Sequence, residues 1–214
     1  MKNLLFLNGD IPFHVYHKLY KSTQNCIIAA DGGANQLPEN GIDPDVIIGD
    51  LDSVSLKVLK YYKKLNKEII KLSEQETTDF EKAINFCISK KIKKLNVFGA
   101  VSERPDHTLN NFSILKRYYK SIDVTLYSNE FEICFIDRYT DFKYKKNSTV
   151  SLMPFPKAIS IITEGLKYKL FEEDLILGKR EGSLNVSNAE KVKISFRKGD
   201  LLLFKKHFIH NPKI

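Results

Sequence analysis

Tryptophan is absent from this 214-residue chain, cysteine occurs only three times, and no apolar run is long. Cys26, Cys87 and Cys134 are far apart and each lies in an apolar run, which predicts buried thiols in a reducing compartment rather than disulfides or a zinc site. No stretch approaches the roughly 20 apolar residues that span a bilayer. The apolar run in the opening segment MKNLLFLNGDIP is too short for a signal sequence. We therefore expect a cytoplasmic protein without a membrane partner.

Arginine is also scarce, although the chain is basic. The formal net charge of +8 comes almost wholly from lysines, which are scattered rather than gathered in one stripe. Proteins that read nucleic acids usually favour arginine and cluster their charge, so this pattern argues against a nucleic-acid partner. A solvated surface that also attracts anionic substrates explains it better.

The first part of the chain alternates short apolar runs with helical patterns. Strands are predicted near residues 3–8, 26–30, 46–48, 68–72, 95–99 and 123–127, and helices near 53–65, 78–90 and 106–120. This alternation predicts an α/β domain over residues 1–127, with a parallel sheet covered by helices in the Rossmann-like manner. Thr78 and Glu81 have the spacing of a capping box, which predicts a helix start with Asp79 in the first turn.

Beyond about residue 128 the helical periodicity stops and strands with period two take over. Four segments read as strands, STVSLMPF, AISIITEG, EKVKISF and DLLLFKKHF. In the third, Val192, Ile194 and Phe196 alternate with polar residues, as in a half-buried antiparallel strand. We expect residues 128–214 to form a small all-β sandwich.

Two acidic turns follow predicted strands in the first domain. Asp31-Gly32-Gly33 follows the strand at 26–30, where paired glycines let backbone amides approach a phosphate and the carboxylate can hold a metal or a ribose hydroxyl. A tight turn is the simpler explanation. Asp50 and Asp52 flank Leu51 after the strand at 46–48. Residues two apart in an extended turn point the same way, so both carboxylates can face one Mg²⁺. The alternative is an Asx-turn with Asp52 or Ser53 capping the next helix.

Two further polar segments complete the set. Asp79 lies in the first turn of its helix, where an acid usually complements the helix dipole. The segment FGAVSERPDHTLNNF brings together Arg104, Asp106, His107 and Asn110. Arg104 suits a phosphate, whereas Asp106 and His107 suit a metal, a hydroxyl or the helix cap, and we expect Asp106 to cap the helix in any case.

These four segments all follow strands, and the carboxyl ends of parallel strands line the crevice where ligands bind. The common solutions to nucleotide, hydrolase and zinc chemistry are missing, because the chain has no P-loop, no GxGxxG, no serine elbow and no HExxH. Phosphate chemistry at carboxylate-bound Mg²⁺ is the prediction that remains.

Seven segments resemble the motifs of the thiamine pyrophosphokinases in order and spacing. Four lie in the first domain, DGGAN (31–35), PDVIIGDLDS (44–53), TTDFEKA (77–83) and RPDHTLNN (104–111). Three lie in the second, SLMPF (151–155), TEGLKYKL (163–170) and VSN (186–188). The resemblance implies transfer of the pyrophosphoryl group of ATP to the hydroxyethyl group of thiamine, giving thiamine diphosphate and AMP.

The resemblance also implies roles for the residues of the first domain. Asp50, Asp52 and Asp79 would hold Mg²⁺ against the triphosphate. The nucleotide side would be formed by Asp31, Gly32, Gly33 and Gln75. Arg104 would neutralise phosphate charge, beside the catalytic Asp106 and His107 and the substrate-binding Asn110. Transfer of this kind depends on positioning and charge neutralisation more than on a strong general base, for which Asp106 or a metal-bound carboxylate is the candidate.

For thiamine, the resemblance implies a pocket in the second domain that is shared across a homodimer. Tyr168, Ser187 and Asn188 occupy the matching positions. Tyr168 stands where the family usually has tryptophan, and it stacks with a smaller and less electron-rich face; plain strand packing is its other explanation. The loop Ser102-Glu103-Arg104-Pro105 has fewer glycines than the family's loop, and Glu103 adds negative charge near the expected phosphates.

Two other classes of function compete with this interpretation. One is the same chemistry on another alcohol, such as a hydroxymethylpterin, in enzymes that lack the sandwich domain. The other is a binding protein, either a non-catalytic sensor of thiamine or nucleotide, or a weak RNA binder. The retained carboxylates argue against a sensor, and the scattered lysines without clustered aromatic residues argue against RNA.

Overall fold

The computed structural model describes residues 2–21 and 25–209. It divides into two compact units. The first takes in the described residues up to Asn129 together with Ile209, and the second is Glu130–Phe208. Each unit has its own apolar core. Within the described ranges, the helices are too short or too polar to cross a membrane.

The first unit alternates strands and helices, as the sequence pattern predicts. Its strands are β1 (Lys2–Phe6), β2 (Asn25–Ala30), β3 (Val46–Gly49), β4 (Glu68–Lys71), β5 (Lys94–Phe98) and β6 (Asp123–Tyr127). Its α-helices are α1 (Phe13–Leu19), α2 (Leu56–Lys64), α3 (Asp79–Ser89) and α4 (Pro105–Tyr118). Short 3₁₀ helices cover Asp31–Ala34 and Pro38–Asn40.

The strands of this unit pair in the order β4-β3-β2-β1-β5-β6, and each of these pairings is parallel. The central strand β1 contributes Leu4, Leu5 and Phe6, which are fully buried. A strand covered on both faces is typically a continuous apolar run rather than an alternating one, which is how β1 to β3 appear in the sequence. Because the strands are parallel, their carboxyl ends share one edge.

Three local predictions need correction. The sequence analysis did not predict α1, a helix of seven residues with no acidic residue in its first turn and no side-chain cap. Helix α2 is capped by Ser55, whose hydroxyl accepts from the Val58 amide at 3.3 Å, and not by Asp52 or Ser53. Helix α4 has Arg104 at its N-cap without a side-chain cap hydrogen bond, so Asp106 does not cap it.

The second unit contains strands only among its regular elements in the described residues. They are β7 (Phe131–Phe135), β8 (Tyr139–Lys143), β9 (Thr149–Glu164), β10 (Glu173–Ile176), β11 (Gly182–Val186), β12 (Lys191–Ser195) and β13 (Lys198–Lys206). All of the pairings among them are antiparallel. Their inward side chains, such as Val150, Leu152, Val192 and Ile194, form the core of this unit.

Strand β9 replaces two predicted strands with one of 16 residues. Pro154 and Pro156 suggested a break because proline cannot donate to a sheet. The strand instead continues through them and changes partners: residues 150–159 pair with β13, and residues 162–164 pair with β12. Three of its ladders contain a shift of register. The break expected at the prolines is therefore replaced by irregular pairing rather than by a loop.

Close packing explains the paired glycines after β2. A Cβ at Gly33 would lie 2.4 Å from the Phe6 carbonyl oxygen, and one at Gly32 would lie 2.4 Å from Asn8 Nδ2. Both glycines are buried in the 3₁₀ turn Asp31–Ala34. The turn can therefore sit directly on the end of β1 only if position 33 lacks a side chain, whereas a side chain at position 32 would require Asn8 to move.

Gly33→Ala should destabilise the protein by about 3 kcal/mol, in the upper range of overpacking effects, because the new methyl group meets backbone rather than a movable side chain. Gly178→Ala is the matched control. Gly178 has a φ of +80° and open space around it, so only backbone strain applies and about 1 kcal/mol is expected. Urea unfolding measures both variants, and equal losses would contradict the packing explanation.

Candidate functional site

A cleft of about 860 Å³ lies in the first unit at the carboxyl ends of its strands. Ligands of open parallel sheets bind at this edge, where loops leave the strands. The lining includes segments that follow β1, β2, β3 and β5. Many of the predicted site residues line it, namely Asp31, Asp50, Asp52, Gln75, Asp79, Arg104, His107 and Asn110.

Three carboxylates meet in this cleft. Asp31 follows β2, Asp50 follows β3 and Asp79 begins α3, and one oxygen from each lies within 4.8 Å of the other two. Gly49 permits this approach, because a Cβ there would lie 2.8 Å from the Asp31 Cβ and 3.1 Å from Asp79 Oδ1. From the residues alone, Asp31 was predicted to hold either a metal or a ribose hydroxyl, and the resemblance placed it on the nucleotide side.

Asp31 provides the clearest sign that the cluster can accept a cation. Its side chain is buried, and Oδ2 accepts from the Ser53 amide at 3.3 Å. Oδ1 is buried without a hydrogen-bond partner. An unpaired buried carboxylate oxygen is costly, and it is the kind of hard donor that Mg²⁺ and Ca²⁺ prefer. The residues present therefore fit a divalent cation.

Lys82 is a site residue that the sequence analysis missed. Its side chain is only 3% exposed, and Nζ lies 3.4 Å from Asp79 Oδ1 and 3.7 Å from Asp50 Oδ2. A lysine in an amphipathic helix is normally expected on the solvent face, so nothing drew attention to it. Its spacing of three residues from Asp79 was the available signal, because side chains so spaced are neighbours on a helix.

Burial and neighbouring negative charges raise the pKa of Asp79. Burial of the carboxylate is the largest cause, followed by the charge of Asp31, and Asp50 adds to it. Lys82 acts in the opposite direction, by its charge and by a hydrogen bond. The lysine thus offsets only part of the combined effect of burial and repulsion on this pKa.

Asp52 lies outside the group of three, although it lines the same cleft. It is exposed, and its Oδ1 accepts from the Ser53 hydroxyl at 2.9 Å. Its amide donates to Asp50 Oδ1 at 3.3 Å, which is the Asx-turn that the sequence left open as an alternative. The left-handed conformation of Leu51, with a φ of +64°, forms the turn between the two aspartates.

Arg104 and Asp106 form an exposed ion pair at the start of α4. Nη2 of Arg104 lies 2.5 Å from Asp106 Oδ2, and Nε donates to Oδ1 at 3.2 Å. These hydrogen bonds from Arg104 are the largest cause of a pKa of about 2 at Asp106. His107 Nε2 lies 4.0 Å from the same carboxylate. The loop before them is held by Thr108, whose hydroxyl accepts from the Ser102 amide at 3.1 Å.

The thiamine residues predicted from the resemblance lie in the second unit. Tyr168 is 61% exposed, with Lys167 Nζ 5.4 Å from the centre of its ring. Ser187 is fully buried: its hydroxyl donates to the Lys145 carbonyl at 2.6 Å and accepts from the Ser148 amide at 3.1 Å. Asn188 is exposed, and its amide donates to the Gly165 carbonyl at 2.9 Å.

Asn185 is a second residue that the sequence analysis missed. It is buried, and its side chain accepts from the Tyr168 amide at 3.0 Å and donates to the Tyr168 carbonyl at 2.7 Å. Both backbone groups of Tyr168 are thereby fixed by one side chain. The signal was an asparagine within an otherwise strand-like run, where a polar residue facing inward must find partners.

Two family models match the chain. One is described as "Thiamin pyrophosphokinase, catalytic domain" and matches residues 16–126; the other is described as "Thiamin pyrophosphokinase, vitamin B1 binding domain" and matches residues 135–201. The chain belongs to the thiamine pyrophosphokinase family. The resemblance drawn from the sequence motifs is therefore confirmed.

Individual relatives agree with this assignment. "Thiamine pyrophosphokinase 2" of Oryza sativa subsp. japonica is 30% identical over 226 residues, covering 89% of this chain and 81% of the relative. The thiamine pyrophosphokinase of Bacillus subtilis (strain 168) is 26% identical over 194 residues, covering 87% of this chain and 89% of the relative.

Solved structures show that the fold is shared. The crystal structure of thiamine pyrophosphokinase from Bacillus subtilis superposes with a TM-score of 0.84 at 23% identity, covering 96% of this chain and 99% of that one. The thiamin pyrophosphokinase from Candida albicans gives a TM-score of 0.86 at 22% identity, covering 96% of this chain and 88% of that one.

Asp79→Asn should stabilise the metal-free protein at pH 7. The folded-state pKa of Asp79 is raised, so ionisation of this group opposes folding at neutral pH. The penalty fades as the pH falls through the raised pKa and is gone below the unfolded value of about 3.9, so the advantage of the variant should vanish there. Melting curves in EDTA from pH 7 to about pH 3 test this, and a variant less stable than wild type at pH 7 would contradict it.

Proposed function

We propose that the chain transfers the pyrophosphoryl group of ATP to the hydroxyethyl group of thiamine, forming thiamine diphosphate and AMP. Family membership makes it an enzyme that produces thiamine diphosphate. The observation that carries the proposed mechanism is the meeting of Asp31, Asp50 and Asp79 in one cleft, with an oxygen of Asp31 unpaired. This is an arrangement suited to a metal-bound triphosphate.

We assign Mg²⁺ to this cluster. The ion would be held directly by Asp31, Asp50 and Asp79. Asp52, which is exposed and lines the same cleft, would add a further carboxylate oxygen. When bound, Mg²⁺ supplies positive charge to the triphosphate oxygens. Lys82 keeps the Asp50 and Asp79 carboxylates oriented before any ligand arrives, because its buried ammonium group reaches both.

Arg104 is the proposed phosphate ligand on the other wall of the cleft. It is exposed, and its guanidinium group forms an ion pair with Asp106. A phosphate that binds Arg104 would compete with Asp106 for the same donors. Asp106 would then lose the interaction that keeps its pKa near 2, which makes it a better proton acceptor at the moment when the substrate is in place.

The remaining assignments of the first unit follow from placement in the cleft. We propose that Gln75 faces the nucleotide and that Asp31 acts on it through the Mg²⁺ that it would hold. His107 and Asn110 would face the reacting groups from α4. Gly32 and Gly33 are buried under the cleft and are needed for packing against the end of β1, so any contact with a phosphate would be made by their backbone amides.

For thiamine, we propose a surface in the second unit centred on Tyr168. Its exposed ring is available to stack on the aminopyrimidine, and Asn185 fixes its backbone. Asn188 would add a polar contact, whereas the hydroxyl of Ser187 is engaged with backbone and would hold the turn beside it. We also propose that the site is completed by a second copy in a homodimer.

We further propose that residues 1–127 form a Rossmann-like domain that binds ATP and Mg²⁺. Residues 128–214 would form a β-sandwich domain that binds thiamine and forms the dimer. We also expect the protein to act in the cytoplasm, with neither nucleic acid nor membrane as a partner.

Incubation of the purified protein with ATP, Mg²⁺ and thiamine should yield AMP and thiamine diphosphate together, and only when thiamine is present. Chromatography of the nucleotide and thiamine products measures both. ADP with thiamine monophosphate would overturn pyrophosphoryl transfer. Turnover of a hydroxymethylpterin with none of thiamine would overturn the acceptor.

Tyr168→Ala should raise the KM for thiamine at least about tenfold while changing the KM for ATP less than about twofold, because stacking on the ring is removed and the triphosphate site is untouched. Tyr139→Ala is the matched control, since Tyr139 is also a tyrosine of the second unit and is 61% exposed. Equal changes in both KM values would refute the stacking role.

A further inference from the structure

Glu81 is a buried charged residue that the proposed mechanism does not use. Only Asp31, Glu81 and Lys82 are charged and buried in the described part of the chain, and the other two belong to the cleft. The side chain of Glu81 is 8% exposed. Burying a carboxylate is costly unless it is paired and hydrogen-bonded, so its partners indicate its role.

The capping box predicted at Thr78 forms only in part. The Thr78 hydroxyl accepts from the Glu81 amide at 3.3 Å, as expected. In a complete box the carboxylate would turn back to the Thr78 amide. The hydrogen bonds described for this carboxylate run to α4 instead, so Glu81 joins two helices rather than closing one.

Its partners are two consecutive residues in the last turn of α4. Nη1 of Arg117 and the hydroxyl of Tyr118 both donate to Glu81 Oε1, the second at 2.7 Å. Asn85, one turn further along α3, hydrogen-bonds the same Tyr118 hydroxyl. We refer to Glu81, Asn85, Arg117 and Tyr118 as the α3–α4 clamp.

Each helix in the clamp carries part of the cleft. Asp79 and Lys82 lie on α3, two residues before and one residue after Glu81. His107 and Asn110 lie in the first turns of α4, and Arg104 is its N-cap residue. The clamp therefore connects the carboxylate wall of the cleft to the far end of the helix that bears the phosphate wall.

Because α4 is long, a contact at one end of this helix can control the position of its other end. Ten residues separate His107 from Arg117, which is about 15 Å of helix at 1.5 Å per residue. A tilt of about 4° about the Arg117 end would displace the His107 end relative to α3 by about 1 Å, and a misplacement of that size can cost about 100-fold in rate. The hydrogen bond from Asn111 Nδ2 to the Ala100 carbonyl, at 2.8 Å, ties the near end to the loop before α4 and not to α3, so this loop would move with the helix.

We propose that Glu81 is a positioning residue for the reaction, and that through Arg117 and Tyr118 it sets the distance between the carboxylate wall and the phosphate wall of the cleft. This inference rests on the proposed function, because it assigns the two walls to the metal and the phosphates. It requires that Glu81 acts on the geometry of α4 and not on the metal ligands.

Arg117→Met and Tyr118→Phe test the clamp at its α4 end, far from the proposed ligands. Arg117→Met should lower kcat by about tenfold and Tyr118→Phe by about threefold, measured well below each variant's melting temperature. Arg117→Lys keeps the cation and should restore most of the loss. Mn²⁺ affinity, measured by calorimetry without nucleotide, should change less than about twofold, because its proposed ligands precede α4.

The control variant is Arg180→Met, which breaks the exposed Arg180–Glu173 ion pair in the second unit. It should leave kcat unchanged. Wild-type kcat in Arg117→Met together with a lower melting temperature would show that the clamp only stabilises the fold and would overturn the proposal. A parallel loss of Mn²⁺ affinity and kcat would also overturn it, since the effect would then act through α3.

The same assay separates this inference from the proposed function. If wild type does not form AMP and thiamine diphosphate, the proposed function fails. If wild type is active and the three clamp variants are equally active, the proposed function stands and the positioning role of Glu81 fails.

Discussion

Repulsion among three carboxylates is the constraint around which the first unit is arranged. Asp31, Asp50 and Asp79 come from three separate segments and are held close together, and the charges of Asp31 and Asp50 add to the effect of burial in raising the pKa of Asp79. Gly49 removes the steric obstacle, and Lys82 supplies a buried positive charge. The repulsion that remains is electrostatic, and the divalent cation proposed for this cluster would relieve it. The fold would then favour binding of the cation before any other ligand arrives.

Much of this arrangement could be predicted from the sequence, since apolar runs followed by polar turns predict where strands end. The alternation of β1 to β6 with α2 to α4 was visible in this way. The spacing of apolar residues in the sequence could not show which residue a buried polar group pairs with. Lys82 and Glu81 have ordinary helical spacing, and only the packing of α3 shows that one faces the cleft and the other faces α4.

Other misses have equally local causes. Helix α1 lacks a side-chain cap and acidic residues in its first turn, so it gave no start signal. Pro154 and Pro156 suggested a loop inside β9, yet the strand accommodates them while it changes partners. The order in which strands pair is a property of the whole chain, and local patterns do not reveal it.

Strand β9 also has a consequence for how the second unit reaches its native state. It pairs with β10, β11, β12 and β13, and so takes part in four of the six ladders described for that unit. Of the ladders described there, only β12–β8 and β13–β7 form without β9. The second unit should therefore gain and lose its structure as a single cooperative block, with a folding rate limited by the search for contacts distant in sequence.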